Sequence, residues 1–165
     1  MKIKILNVND LNDFRNIRLA ALLHAPKMFG SCYEIEVQEP IAFFQHCLLN
    51  STVFAVYAEQ KVIGLAILTQ ETSVKVAHKA FLSSVFVRPE FQGRGVASKL
   101  LNIVIEYANT SSAEQILLSV ATDNHVAINL YKKLGFQVYG VEERALKENR
   151  RYTDELLMKL FLDIT

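Results

Sequence analysis

A glycine-containing loop is the part of the sequence whose residue types most directly indicate chemistry. Residues 92–97 are Gln-Gly-Arg-Gly-Val-Ala, at the point where an apolar strand pattern changes to a helical one. Glycine lets the backbone turn tightly and approach a ligand closely. The first turn of a helix carries unpaired N–H groups and the positive end of the helix dipole, and together these bind anions. The loop therefore predicts a phosphate or pyrophosphate site.

Two widespread phosphate-binding loops do not fit these residues. The P-loop requires G-x-x-x-x-G-K-[ST], a run that the sequence lacks. The dinucleotide-binding pattern G-x-G-x-x-G requires a third glycine where this chain has Ser98, and the opening strand–helix unit of the chain lacks the pattern too. Taken alone, Gly93 and Gly95 are also consistent with no more than a compact turn.

A second group of chemistry-bearing residues follows about thirty positions downstream. The pattern Asn-x-x-Ala-x-x-Leu-Tyr-x-x-x-Gly-Phe begins at Asn124 and ends at Phe136. Asn124, Ala127 and Tyr131 have the spacing i, i+3 and i+7, which places them on one side of a helix. A helical tyrosine is more often a core residue than a catalytic one. The second motif therefore gains meaning only in combination with the first.

The elements that must position these motifs alternate between strands and helices. Strands are predicted over residues 2–8, 52–58, 62–70, 80–87, 115–120, 136–141 and 153–161, and helices over residues 11–24, 40–49, 93–109 and 124–134. Residues 59–61 are short enough to join two strands as an antiparallel hairpin. Gly135 is suited to ending the last helix in a left-handed conformation. This pattern indicates a single α/β domain with a mixed sheet.

Composition excludes several classes of protein. The chain has 165 residues, of which 51% are hydrophobic, and 18 Lys+Arg against 17 Asp+Glu give a net charge of +1. A chain of this length and polarity can form its own core without disulfides. The near-neutral charge gives no general attraction to nucleic acid or acidic membranes. A basic nucleic-acid binder, a fibrous protein and a small disulfide scaffold are therefore excluded.

The cysteines and the N-terminus indicate neither a metal site nor export. Cys32 and Cys47 are expected to be reduced thiols, and with His24 and His46 they match no zinc spacing. No secretory signal is evident, and no apolar run approaches the roughly 18 residues that a membrane span requires. We therefore expect a cytoplasmic protein with no metal, no membrane association and no nucleic-acid partner.

The two motifs together resemble those of the GNAT superfamily of acetyl-CoA-dependent N-acetyltransferases. The resemblance rests on residues 85–97 and 124–136 and on the order of elements over essentially the whole chain. Residues 92–97 match the family motif Q/R-x-x-G-x-G/A, with alanine as the last small residue, and residues 145–158 look like the terminal hairpin of many bacterial members. The resemblance implies one domain over residues 1–165, with a mostly antiparallel mixed sheet of about six to seven strands, splayed central strands and about four flanking helices.

The resemblance also implies roles for individual residues. In the family, the strand before the loop binds the pantetheine arm of acetyl-CoA, the loop and the following helical turn bind its pyrophosphate, and the asparagine contacts the cofactor near the pantetheine. The implied cofactor-binding residues are Val85, Phe86, Val87, Gln92, Gly93, Arg94, Gly95, Val96, Ala97, Ser98 and Asn124. Tyr131 matches the tyrosine that donates a proton to the departing thiolate. No metal takes part.

The implied reaction is transfer of acetyl to a primary amine by direct attack. A backbone N–H near Phe86 or Val87 is suited to stabilising the oxyanion. A thiol has a pKa near 8.5 and a phenol one near 10, so a tyrosine can protonate the thiolate without being ionised beforehand. The general base does not carry over, because the central strand has Ser83 and Ser84 where many members have glutamate.

The identity of the base and the function itself leave alternatives open. Glu34 is the candidate base, with Glu36 close by, and a water chain or backbone carbonyls are the alternative. A catalytically weak acyl-CoA-binding or sensing module of the same fold is a rival function, as is a protein for a phosphate ligand unrelated to CoA. The amine acceptor, small molecule or peptide, is not identified by any residue. A homodimer is compatible with the family, and so is another acyl-CoA in place of acetyl-CoA.

Overall fold

Seven strands and five helices make up the regular structure of residues 1–163, the part of the chain that the computed structural model describes. The strands are β1 (Lys2–Ile5), β2 (Thr52–Ala58), β3 (Lys61–Gln70), β4 (Lys79–Val87), β5 (Gln115–Ala121), β6 (Gln137–Glu148) and β7 (Arg151–Phe161). The helices are α1 (Leu11–His24), α2 (Tyr33–Glu36), α3 (Ile41–Asn50), α4 (Val96–Asn109) and α5 (His125–Lys133).

All seven strands belong to one mixed sheet, in the order β1-β2-β3-β4-β5-β7-β6. Strands β4 and β5 pair in parallel. The pairs β1–β2, β2–β3, β5–β7 and β6–β7 are antiparallel. This confirms the expected α/β fold with a mostly antiparallel sheet. Residues 59 and 60 join β2 to β3 in the predicted hairpin, in which Ala58 pairs with Lys61.

The chain divides into two compact units. The first contains residues 1–69 and 82–106, and the second contains residues 70–81 and the chain from Tyr107 onwards. The predicted single domain, residues 1–165, stays a prediction, and its last two residues lie outside the described part of the chain.

The core of the first unit fixes the position of α1. Its members include Phe14, Ile17 and Leu22 of α1, Phe44 of α3, Val53 of β2 and Leu65 of β3. The rings of Phe14 and Phe44 meet edge to face with their centroids 6.1 Å apart. Each fully buried side chain of this size contributes about 1.5–3 kcal/mol relative to an exposed one. The polar residues on α1 therefore project from a well-anchored helix.

Buried side chains and a glycine at its end anchor α5 in the second unit. Ile128 and Tyr131 of α5 are buried, and the ring of Tyr131 packs edge to face against Phe136, with centroids 5.7 Å apart. Gly135 ends the helix at φ +93°, as predicted, and a Cβ at this position would lie 3.3 Å from Leu160. A left-handed backbone angle and close packing both require glycine here.

Three predicted strands have wrong boundaries, in each case for a local reason. Strand β1 ends at Ile5 rather than residue 8 because Asn7 begins a capped turn, in which its side chain accepts from the Asn9 N–H and Asp10 accepts from the Asn7 N–H. Strands β6 and β7 extend to a two-residue turn at Asn149 and Arg150, with φ of 47° and 64°. Such left-handed pairs form tight hairpin turns, so residues expected to form a polar loop continue the ladder.

Candidate active site

Strand β4 changes conformation at Ser84, just before the three residues expected to bind pantetheine. Residues 80–83 alternate between buried and exposed, whereas Phe86 and Val87 are both buried. The change coincides with a φ of 55° at Ser84. A left-handed angle at a residue other than glycine costs of order 1–3 kcal/mol and persists only where the surroundings hold it. Strand β4 pairs with β5 at residues 79–81 of β4.

Side-chain hydrogen bonds fix the end of β4 and the turn that follows it. The Gln92 side chain donates to the carbonyl of Val87 over 2.9 Å. Arg88 donates to the carbonyl of Val62 in β3 over 2.9 Å and to the side chain of Asn16 in α1 over 2.8 Å. Arg88 is therefore committed to holding the strand, and Gln92 helps to define the turn.

The two glycines of the loop adopt the conformation that only glycine accepts readily. Gly93 has φ +71° and Gly95 has φ +74°. A Cβ built on either residue meets no atom of the described chain within 4 Å. The backbone angle, rather than crowding, therefore requires glycine at both positions, and the space beside the loop is open to a ligand.

Five backbone N–H groups around the start of α4 have no acceptor among the described residues. They belong to Gly93, Gly95, Val96, Ala97 and Ser98. The Gln92 N–H donates to Pro89, and helical bonding begins with Lys99 N donating to Gly95 over 3.1 Å. The first turn of α4 carries no acidic side chain. These groups stand at the positive end of a 14-residue helix, which is the arrangement that binds a phosphate group.

An ion pair between α1 and α2 lies in the same unit and reaches Ser84. Arg18 donates through two nitrogens to the two carboxylate oxygens of Glu36, over 2.6 and 2.8 Å. A third nitrogen donates to the Ser84 hydroxyl over 2.7 Å. Burial alone would raise the pKa of Glu36, but the hydrogen bonds and charge of Arg18 hold that pKa below its usual range. Glu36 is thus an ionised, fully engaged carboxylate, while Glu34 on the same short helix is exposed.

The lowered pKa of Glu36 predicts a specific pH dependence of stability. Because the folded carboxylate has a lower pKa than the unfolded one, the unfolded chain binds more protons near and below pH 4.5, and the stabilisation disappears as the pH falls through the folded value. We expect the free energy of unfolding to fall more steeply below about pH 4.5 in the wild type than in Arg18→Met/Glu36→Met. Urea titrations from about pH 3 to 7 measure this, and parallel curves contradict it.

The residues of the second motif lie in the second unit. Asn124 caps α5, its side-chain oxygen accepting from the Ala127 N–H over 3.2 Å, which leaves both N–H donors of its amide NH₂ for a ligand. Tyr131 is 6% exposed, and burial raises its pKa to about 12. Among residues 1–163, no group hydrogen-bonds its hydroxyl. This phenol therefore stays protonated at neutral pH and is free to donate.

The structural roles of two residues of the first unit's site, Arg18 and Ser84, were not predicted from the sequence. Arg18 had a signal, because it interrupts the apolar stripe formed by Leu11, Phe14 and Leu22 on α1. Ser84 had none, since nothing in a serine within an apolar strand predicts a positive φ.

The described residues contain neither a metal cluster nor a disulfide. Cys32 and Cys47 are free thiols. No group of three or more His, Cys, Asp or Glu side chains within residues 1–163 is arranged to hold a metal ion. No helix in this part of the chain has the length and apolar character needed to cross a membrane.

Comparison with known sequences gives one family and several named relatives. A family model described as the acetyltransferase (GNAT) family matches residues 17–136. Bovine thialysine N-epsilon-acetyltransferase is 32% identical over 96 residues, 57% of this chain and 56% of that protein. Spermidine N(1)-acetyltransferase from Vibrio cholerae is 34% identical over 102 residues, 59% of this chain and 55% of that protein. The matched part of the chain spans about half the length of these curated relatives.

Solved structures match over nearly the whole chain. An acetyltransferase of the GNAT family from Streptococcus pneumoniae has a TM-score of 0.86 at 20% identity, covering 98% of this chain and 99% of that one. A putative acetyltransferase from Salmonella typhimurium, solved with its cofactor acetyl-CoA, has a TM-score of 0.84 at 23% identity and covers 100% and 95%. At these identities the likeness shows the fold.

Proposed function

Because the chain belongs to the GNAT acetyltransferase family, we propose that it transfers an acetyl group from acetyl-CoA to a primary amine. The observation that carries the proposal is the row of free N–H groups at the start of α4, two of which belong to glycines at positive φ. A pyrophosphate needs several convergent donors and a close backbone approach. The chain supplies both without an excess of basic side chains.

The residues at this site fit the anionic part of acetyl-CoA. The free N–H groups of residues 93 and 95–98 are the donors for the pyrophosphate, and the guanidinium of Arg94, held 5.7 Å from the Phe91 ring, adds positive charge nearby. The backbone of residues 85–87 is proposed to bind the pantetheine arm, and the Asn124 amide to contact the cofactor. When bound, acetyl-CoA supplies an activated thioester and a thiol leaving group.

Two groups of the chain are proposed to handle the developing charges. A backbone N–H at Phe86 or Val87 donates to the oxyanion. The Tyr131 hydroxyl donates to the thiolate as a general acid. A buried phenol with a pKa of about 12 is a weaker acid than a thiol, so its first contribution is a hydrogen bond. If Tyr131 passes its proton fully to the thiolate, the proton that the attacking amine releases is available to restore the phenol.

Glu34 is the proposed base, since Glu36 is engaged by Arg18. We expect Glu34→Gln to lower kcat by at least about 10²-fold, the lower end for a general base. Glu39→Gln, a change of the same kind five residues later, is the matched control and should leave kcat within about twofold. Equal kcat in the two variants assigns base catalysis to a water chain or to backbone carbonyls.

A catalytically weak acyl-CoA-binding or sensing module is the second candidate. Two observations favour it: β4 carries Ser83 and Ser84 rather than a carboxylate, and the ionised Glu36 is paired. Such a module would bind acetyl-CoA as tightly as an enzyme but release no thiol on any acceptor.

Thiol release from acetyl-CoA in the presence of several amines tests the proposal. The named relatives act on thialysine and spermidine, so these two amines and a short peptide with a free N-terminus form the panel. We expect thiol release with at least one amine and binding of acetyl-CoA by calorimetry. Binding without release supports the sensing module, and absence of binding contradicts both. A cytoplasmic location and a homodimer are part of the proposal, the latter measurable by sedimentation.

A further inference from the structure

Arg18 links the first two helices of the chain to the irregular point of β4. Its guanidinium donates to both oxygens of Glu36 and to the hydroxyl of Ser84. It also lies over the Phe29 ring, 5.3 Å from the centroid. Both charged side chains are largely removed from water, with 15% of Arg18 and 4% of Glu36 exposed.

A buried ion pair of this kind is a poor device for stability alone. The penalty for removing both charges from water often exceeds their attraction, and apolar residues of similar volume are often as stabilising or more so. What an apolar pair cannot provide is a directed donor for Ser84. The third donated hydrogen bond is therefore the feature of this pair that needs an explanation.

Residues 85–87 are held from α1 at both ends. At one end Arg18 bonds the side chain of Ser84, and at the other Asn16 accepts from Arg88. The left-handed angle at Ser84 turns the strand immediately before this segment. Because a positive φ at serine is strained, loss of the contact allows the residue to relax towards an ordinary strand angle. Such relaxation re-aims the backbone N–H and C=O groups that follow.

We propose that Arg18, oriented by Glu36, is a positioning residue that holds Ser84 in its left-handed conformation and thereby sets the direction of the backbone at residues 85–87. The effect on β4 is independent of any ligand. Its consequence for acetyl-CoA binding rests on the proposed function. The role of Glu36 is to fix the guanidinium, so that two of its nitrogens are committed and the third faces Ser84.

Arg15 is a matched control on the same helix. It donates to the carbonyl of Val37, at the end of α2, over 3.1 Å, and lies over the Phe44 ring at 5.6 Å. It therefore shares with Arg18 a position on α1, a bond to the α2 region and an aromatic contact, but it has no bond to β4. Arg15→Met removes comparable packing and charge and leaves Ser84 held.

The experiment compares Arg18→Met/Glu36→Met, Ser84→Ala and Arg15→Met in the full chain. Arg18→Met/Glu36→Met removes both charges, so no buried carboxylate is left unpaired. Ser84→Ala removes only the acceptor of the Arg18 hydrogen bond, and it tests the proposal if the double variant does not fold. Hydrogen exchange of the peptide covering β4 reports the strand without ligand. Calorimetry with acetyl-CoA reports the consequence. A fourth variant combines Ser84→Gly with Arg18→Met/Glu36→Met, because glycine adopts a positive φ without strain and so does not need Arg18 to hold it.

In Arg18→Met/Glu36→Met and in Ser84→Ala, we expect faster hydrogen exchange in β4 and a Kd for acetyl-CoA raised about tenfold. A tenfold change is the effect of losing one charge-assisted hydrogen bond. Arg15→Met should change neither by more than about twofold, and Ser84→Gly should restore much of the affinity. If β4 exchanges at the wild-type rate in both Arg18→Met/Glu36→Met and Ser84→Ala, the positioning role is overturned. If exchange in β4 is faster in the variants but the wild type does not bind acetyl-CoA, the positioning role is supported and the proposed function is contradicted.

Discussion

Replacing Tyr131 with phenylalanine is expected to lower kcat by about 10²- to 10⁴-fold, the usual contribution of a general acid. The substitution removes one oxygen that has no hydrogen-bond partner among residues 1–163, and it leaves in place the ring that packs against Phe136. Neither the core nor a hydrogen bond is lost. We therefore expect the free energy of unfolding and the Kd of acetyl-CoA to remain near their wild-type values.

The measurement is single-turnover acetyl transfer, so that chemistry rather than product release limits the rate. Tyr139→Phe, on a half-exposed residue of β6 in the same unit, is the control. Because burial raises the pKa of Tyr131 to about 12, the wild-type rate should show no loss from phenol ionisation up to about pH 10. A Tyr131→Phe rate equal to that of the control removes the general acid from the mechanism.

The parts of the fold that were predictable from the sequence are those with a strong local pattern. Helix α1 begins and ends as expected because an apolar stripe runs along it and Pro26 follows it. Gly93 and Gly95 predicted a tight turn, and their positive φ angles are the physical reason that glycine is needed there; phosphate binding at this turn stays a prediction. Such features depend on a few neighbouring residues, so one sequence is enough to infer them.

The features that were not predictable depend on distant residues. Ser84 keeps a strained angle with the help of Arg18, 66 positions earlier in the chain. Arg18 in turn is fixed by Glu36, which lies in a segment without periodicity. The length of the β6–β7 hairpin was missed because its outer part is largely exposed and β6 carries a run of charged residues there. Charged residues in an exposed hairpin show no alternation of polarity to count.

A valine at position 95 is expected to weaken acetyl-CoA binding by about 10²-fold, which corresponds to about 3 kcal/mol. Gly95 has φ +74°, an angle that a β-branched residue avoids. The backbone relaxes by rotating away from this angle, and the rotation turns the N–H groups on either side out of the row at residues 93–98. Loss of two hydrogen bonds to a charged ligand accounts for an effect of this size.

Two further substitutions separate the backbone effect from the bulk of the new side chain. Gly95→Asn adds a side chain of similar size but accepts left-handed angles far better than valine, so it should retain more affinity than Gly95→Val. Gly140→Ala is the neutral control, because this glycine is not at positive φ and a Cβ there makes only ordinary contact, 3.5 Å from Leu157. Calorimetry with acetyl-CoA compares the four proteins. If Gly95→Val binds acetyl-CoA as tightly as Gly140→Ala does, the N–H groups at the start of α4 do not hold the pyrophosphate. If Gly95→Val and Gly95→Asn lose equal affinity, side-chain bulk and not the backbone angle excludes the ligand.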